Sequence, residues 1–298
     1  MTITAPFGRT LTAMITPMTS DGSVDYDGAA RLATYLVDEM RNEGLVVNGT
    51  TGEAPTTTDE EKERLIRVVL EAVGDRARVV AGVGTNATAH TIHLARQAER
   101  AGAHGLLVVT PYYNKPAQSA LSAHFAAVAD ATGLPVILYD IPGRTGIPIS
   151  TDTLVALAAH PRIVAVKDAK GDLAASSQVL ARTDLAYYSG DDMFNLPLLS
   201  IGAVGFVSVT GHVVGDRLHD MLQAHQDGRN ADARKIHWGL LPVNTGLFRN
   251  QAAVLTKAAL DMLGLPGGGV RGPLLSATPD ERRQLREDLT AGGVKLPD

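Results

Sequence analysis

The feature that most restricts what this chain can fold into is an eightfold alternation. Short apolar runs rich in β-branched residues are separated by longer stretches with helical spacing. The runs cover residues 11–15, 45–47, 79–81, 106–109, 136–138, 163–166, 186–188 and 206–209. Runs so short and so continuously apolar read as strands buried on both faces, which a parallel sheet covered by helices requires. Between them, patterns such as Ala29-Leu32-Ala33-Leu36-Val37-Met40 and Leu65-Val68-Val69-Ala72 line up apolar side chains on one helical face. Thr58-Asp-Glu-Glu61 opens the second of these as a capping box, its hydroxyl accepting an early amide hydrogen bond while Glu61 reaches back. Strands alternating with helices imply right-handed βαβ units. Eight units favour a closed (β/α)8 TIM barrel over an open doubly wound sheet.

The 298 residues are enough for such a barrel, which commonly occupies about 250. The barrel is expected over residues 1–230 and a helical carboxyl-terminal region over 231–298. That region contains a Gly/Pro-rich loop, Leu265-Pro-Gly-Gly-Gly-Val-Arg-Gly-Pro273, and a charged last helix from Pro279. There are no cysteines, which removes disulfides, thiol nucleophiles and cysteine metal sites and fits a reducing compartment. A net charge of −5 argues against a nucleic-acid surface. No apolar stretch is long enough to span a bilayer, and the first residues lack the pattern of a signal peptide, so a cytoplasmic protein is expected.

Barrels of this kind build their active face from the carboxyl ends of the strands. The second run is followed by Gly49-Thr50-Thr51-Gly52-Glu53, the fourth by Thr110-Pro-Tyr112-Tyr113-Asn114, and the fifth by Tyr139-Asp140-Ile-Pro-Gly143-Arg144-Thr145-Gly146. The sixth ends in Lys167 and the seventh in Ser189-Gly190-Asp191-Asp192. A lysine at the tip of a buried strand sits where water thins out. Burial disfavours its ammonium and leaves a free amine able to attack a carbonyl, the requirement for Schiff-base catalysis. The alternative is a lysine that caps a strand and pairs with a carboxylate. Tyr139, one strand over, is placed either to shuttle protons to such an imine or to serve as a core tyrosine. Gly49-Thr-Thr-Gly52 reads as a tight turn whose amides approach a small carboxylate. Arg144 offers a planar fork suited to a second carboxylate, unless it is only a solvated surface charge. Asp191-Asp192 reads as an acidic helix cap rather than a metal pair. Gly82-Val-Gly84-Thr-Asn-Ala87 matches the dinucleotide pattern only loosely, since no acidic residue stands ready for a ribose. His90 and His93 read as surface residues, with nothing nearby to complete a metal site. No metal and no organic cofactor is expected.

With Gly-Thr-Thr-Gly-Glu, Pro-Tyr-Tyr-Asn, Tyr-Asp-Ile-Pro-Gly-Arg-Thr-Gly and Val-Lys-Asp-Ala in this order, the chain resembles the dihydrodipicolinate synthase family of pyruvate-dependent class I aldolases. The likeness spans essentially the whole barrel. It implies a lyase that condenses pyruvate with L-aspartate 4-semialdehyde, the first committed step of diaminopimelate and lysine biosynthesis, and it implies a homotetramer built as a dimer of tight dimers. On that resemblance Lys167 forms the imine, Tyr139 gives and takes the proton, and Thr50 and Tyr113 complete the relay, Tyr113 from the partner subunit. Thr51 and the backbone at Val207 hold the pyruvate carboxylate, Gly190 belongs to the substrate-binding set, and Arg144 holds the carboxylate of the semialdehyde. In lysine-inhibited relatives the region of residues 54–62, with Asn86, His90 and Tyr112, forms an allosteric site. Those relatives carry a glutamate at the place of His90, so weak or absent feedback by lysine is expected here. Competing expectations are a sialic-acid or sugar-acid lyase of the same chemistry, a non-catalytic paralogue, and a metal-dependent aldolase that chelators would inhibit.

Overall fold

All eight apolar runs are strands, and the sheet they form closes on itself. The computed structural model describes residues 4–297. The strands are β1 (Thr10–Ala13), β2 (Gly44–Val47), β3 (Arg78–Gly82), β4 (Gly105–Val109), β5 (Val136–Asp140), β6 (Ile163–Asp168), β7 (Ala186–Ser189) and β8 (Gly205–Ser208). Each pairs in parallel with its sequence neighbour, and β8 returns to β1, with Leu11 opposite Val207. Outside the sheet lie α1 (Tyr26–Asp38), α2 (Asp59–Val73), α3 (Thr88–Ala101), α4 (Gln118–Asp130), α5 (Pro142–Thr145), α6 (Thr151–Leu157), α7 (Leu173–Leu180), α8 (Asn195–Ser200) and α9 (Gly211–Gln226). Helices α10 (Asn230–Leu247), α11 (Ala252–Met262) and α12 (Pro279–Ala291) follow. The (β/α)8 barrel with added carboxyl-terminal helices is therefore the fold. Among the described residues no helix is long and apolar enough to cross a membrane.

Two strands stop earlier than their apolar runs, for a local reason. The run at 11–15 leaves the sheet after Ala13 because the Ile15 amide donates to Nε2 of His212 instead of to a strand carbonyl (3.1 Å). The run at 206–209 ends at Ser208 because the Val209 amide is captured by the Asp192 carboxylate (2.9 Å). By contrast β5 and β6 run on past their apolar cores, pairing Tyr139 with Lys167 and Asp140 with Asp168. The capping box of α2 is present in both directions, Glu61 N to Thr58 Oγ1 at 3.2 Å and Thr58 N to Glu61 Oε2 at 2.8 Å. A second box, Thr278 with Glu281, opens α12 with Pro279 at its first position.

Strand alternation divides the core. Leu11, Val46, Val80, Leu107, Ile137, Ala165, Ala186 and Val207 point inward and fill the barrel. Leu45, Val47, Val79, Leu106, Leu138 and Val166 point outward and pack on the helices. A third cluster joins α9, α10, α11 and α12 through Leu218, Met221, Leu240, Val243, Leu255, Ala259, Leu285 and Leu289. The same period of two decides what the strand tips present. Tyr139 and Lys167 continue the inward set above Ile137 and Ala165. Their neighbours Asp140 and Asp168 face the helices.

Candidate active site

Lys167 stands at the carboxyl end of β6 with only 4% of its surface exposed. Burial pushes its amine down to about 8; the Asp192 carboxylate pulls the other way, and the Arg144 charge pushes it down further. Its Nζ lies 4.2 Å from the ring centre of Tyr139, the residue paired with it across the sheet. Gly190, just past β7, forms the wall behind it: a Cβ there would stand 2.9 Å from the Lys167 Cγ. Burial pushes the Tyr139 phenol up to about 12, while the Arg144 charge and the Thr50 side chain pull it down. The phenol is thus protonated at neutral pH and available as a donor beside an amine that is neutral part of the time.

Thr50, Tyr139 and Arg144 line one cavity of about 360 Å³, with Asn48, Gly49 and Tyr112. Thr50 sits on the loop that leaves β2, which turns between two left-handed residues, Asn48 (φ 57°) and Glu53 (φ 56°). Gly82 lets that loop lie against β3, because any side chain at Gly82 would run into the Asn48 carbonyl at 2.3 Å. Thr51, next on the loop, is buried, as is Val207, which points into the barrel from β8. Arg144 is exposed in the single turn of α5, whose amides close back on Ile141 and Pro142. Tyr113 is not brought in. It is 89% exposed with a left-handed backbone (φ 73°), so the chain by itself gathers the lysine, Tyr139, Thr50 and Arg144 but not this second tyrosine.

The acidic pair after β7 divides its labour. Asp191 caps a short turn, accepting from the Met193 amide (3.0 Å), as a capping residue should. Asp192 does something not read from the sequence. It is buried and accepts from the Asn195 side chain (2.9 Å), the Ser208 hydroxyl (2.5 Å) and the amides of Val209 and Thr210 (both 2.9 Å). One carboxylate therefore ties the tip of β7 to the tip of β8 and sets the backbone beyond Val207. His212 completes the tie to β1. Its Nδ1–H donates to Val209 O (2.7 Å) while Nε2 accepts from Ile15, and burial holds it down to about 4, so it is neutral. The signal for Asp192 was its position one strand from the lysine; its partners were invisible without register.

Behind the inward pair lies an outward one. Asp168 accepts from the Ser176 hydroxyl (2.5 Å) and the Lys170 amide (2.8 Å). Asp140 accepts from the Ile149 amide (3.1 Å) and pairs with Lys170 Nζ (3.2 Å), burial pushing its carboxyl up to about 6. The glycine-containing segment after β3 is tied to the start of α3, the Thr85 amide donating to the Thr91 hydroxyl (3.0 Å), and it lines the same cavity as Thr50. His90 and His93 are half-exposed, but His90 is more than a surface residue. Its Nε2 lies 2.9 Å from Asp59 Oδ2, with His93 at 3.9 Å, and His90 lines the same cavity as Thr50.

A closed parallel barrel with a buried amine and a phenol at its carboxyl mouth has the architecture of a (β/α)8 enzyme. The chain belongs to the dihydrodipicolinate synthetase family, which it matches over residues 6–292. It is 64% identical to 4-hydroxy-tetrahydrodipicolinate synthase 2 of Streptomyces coelicolor, covering 98% of this chain and 97% of that one. It is 67% identical to the 4-hydroxy-tetrahydrodipicolinate synthase of Acidothermus cellulolyticus, covering 97% and 94%. Among solved structures, the dihydrodipicolinate synthase of Cyanidioschyzon merolae with lysine bound superposes with a TM-score of 0.95 at 41% identity, covering 98% of this chain and all of that one.

Proposed function

We propose that this chain is a 4-hydroxy-tetrahydrodipicolinate synthase, a lyase that joins pyruvate to L-aspartate 4-semialdehyde through a lysine Schiff base in lysine biosynthesis. The observation that carries the reading is the pairing of Lys167 with Tyr139: an amine brought down to about 8 beside a phenol held up at about 12. At pH 7 an amine of that pKa is neutral in about one molecule in ten, against a few in ten thousand for a free lysine.

The Lys167 amine adds to the pyruvate carbonyl, and loss of water gives the imine. Tyr139 hands a proton to the departing hydroxyl and, as phenolate, takes one from the methyl group, leaving an enamine. The enamine carbon attacks the semialdehyde carbonyl. The substrate's own amine then displaces Lys167 and closes the ring, returning the enzyme amine free. Thr50 relays protons with Tyr139, and Tyr113 joins the relay from a partner subunit, which suits its 89% exposure. Thr51 and the backbone at Val207 take the pyruvate carboxylate, and Arg144 takes the semialdehyde carboxylate at the entrance. Gly190 belongs with the substrate-binding set through the space it leaves around the lysine stem.

We assign residues 1–230 to the catalytic barrel and 231–298 to a helical appendage, and we place the protein in the cytoplasm as a homotetramer of tight dimers. Lysine is expected to inhibit weakly or not at all. The Asp59 carboxylate already faces His90, His93 and Lys62, so three basic groups crowd the place where a ligand ammonium would need an acid. Activity falling steeply in sub-millimolar lysine contradicts this. The function itself is tested by a coupled assay with pyruvate and a panel of aldehydes. Turnover with aspartate semialdehyde at least about a hundredfold above that with sugar-derived aldehydes supports it, the margin expected of a site built for one charged group. Preference for the sugar-derived aldehydes refutes it.

A further inference from the structure

One heavily tied residue near the proposed site is used by no step of the mechanism. Glu53 closes the loop that carries Thr50 and Thr51, and its backbone is left-handed (φ 56°), a conformation that a residue with a side chain keeps only where its surroundings hold it. The surroundings come from the far end of the chain. Lys257 on α11, 204 positions away, donates from Nζ to Glu53 Oε1 (2.6 Å) and to Gly269 O (2.6 Å). Both side chains of this pair are 2% exposed. The Arg271 amide donates to Glu53 Oε2 (2.9 Å), so both carboxylate oxygens are held by the carboxyl-terminal region.

Arg271 extends the grip. Its guanidinium forks onto Glu61 at 2.6 and 2.7 Å, and it also donates to Thr56 O (2.8 Å) and Gly22 O (2.8 Å). The segment that carries it is threaded into place: Gly267 O accepts from the Met18 amide (3.3 Å), and Gly268 packs so closely that a Cβ would collide with Met18 O. Within the loop, the Glu53 amide donates to Thr50 O (3.2 Å) and the Ala54 amide to Gly49 O (3.3 Å). A fixed Glu53 therefore holds the carbonyl between the two threonines, and Ala54 beside it holds the carbonyl just before them. A buried ion pair is a poor source of stability compared with apolar packing of equal size, and its better-attested use is to impose one geometry.

We propose that Glu53, Lys257 and Arg271 are positioning residues, through which the carboxyl-terminal region sets the threonine loop for pyruvate. This rests on the functional reading above for the roles of Thr50 and Thr51. Because the clamp reaches the β2 loop and not α5, its loss is felt at the keto acid and not at the aldehyde.

The test compares wild type with Lys257→Met and with the double variant Glu53→Gln/Lys257→Met, which leaves no unpaired charge buried should the single variant fail to fold. In either variant the KM for pyruvate is expected to rise and kcat to fall, each about tenfold, as a loop displacement of an ångström or less allows. The KM for aspartate semialdehyde stays within about twofold. Amide hydrogen exchange at residues 49–53 is expected to speed up in the variants while the strand amides keep their rates. Unchanged exchange in that loop overturns the proposal. So does a semialdehyde KM that rises in step with pyruvate's, or a double variant that regains the wild-type pyruvate KM. If wild type itself proves inert towards pyruvate, the functional reading falls alone, and the exchange rates still decide whether the clamp holds the loop.

Discussion

The residues at the barrel mouth come from two kinds of scaffold. Lys167, Tyr139, Val207 and Gly190 sit on strand tips or one residue past them, and their places follow from sheet register: Tyr139 opposite Lys167, Lys167 opposite Tyr188, Val207 opposite Leu11. Thr50, Thr51 and Tyr113 sit on loops and Arg144 in the single turn of α5, where sheet register has no hold. This set is more exposed at its outer members, Tyr113 and Arg144, while the β2 loop that carries the two threonines is tied from elsewhere by the reach of Lys257 to Glu53. The difference divides the proposed chemistry in two. The proposed covalent chemistry stands on the strand tips at Lys167 and Tyr139, with Thr50 and Tyr113 joining the proton relay from loops; the incoming anions meet Thr51 and Arg144 off the sheet and the Val207 backbone on it.

That division can be broken by mutation. Lys167→Ala removes the only group proposed to bond to substrate and is expected to lower kcat/KM by on the order of 10⁵-fold or more, with circular dichroism unchanged. A residual rate above one per cent of wild type defeats the strand-borne half of the scheme. Tyr139→Phe keeps the ring beside the amine but removes the proton, so kcat should fall about 10²- to 10⁴-fold while borohydride still traps a slow pyruvate adduct. Arg144→Ala, on the rim, should raise the KM for the semialdehyde about 10- to 100-fold, the value of a lost charged hydrogen-bonding pair, and leave pyruvate trapping intact. A fall in kcat matching that of Tyr139→Phe merges the two regions and ends the comparison. Gly190→Ala should act more mildly. Its new methyl meets the Lys167 stem at 2.9 Å, and overpacking of about 1–3 kcal/mol should cost roughly tenfold in kcat unless the flexible stem gives way.

The strand-borne half was the legible half. The run ending in Lys167 can be read from its continuous β-branched, apolar composition, and the neighbouring run ending in Tyr139 follows from the eightfold count. Local patterns do not reveal groups whose partners are far away in sequence. Lys257 lies in an apolar helical stretch and looks like any helix lysine until its Nζ is found 2.6 Å from Glu53. Asp192 reads as a cap because caps are local, yet its four donors come from Asn195, from Ser208 at the end of β8 and from the Val209 and Thr210 amides beyond it. The early ends of β1 and β8 are of the same kind, since a histidine and a carboxylate compete with the sheet for Ile15 and Val209. The role of Tyr113 rests on resemblance, and one chain by itself leaves it at the surface.

The central claim is that Lys167 is neutral often enough to capture a keto acid. Incubating the protein with pyruvate and borohydride across pH 5 to 11, then weighing its peptides, tests it most directly. The labelling rate at the Lys167 peptide should be half-maximal near pH 8, flat above, and fall about tenfold for each pH unit below, as the neutral fraction does. Label on other lysines in preference to Lys167, or a midpoint near 10.5 like that of a solvated amine, contradicts the account.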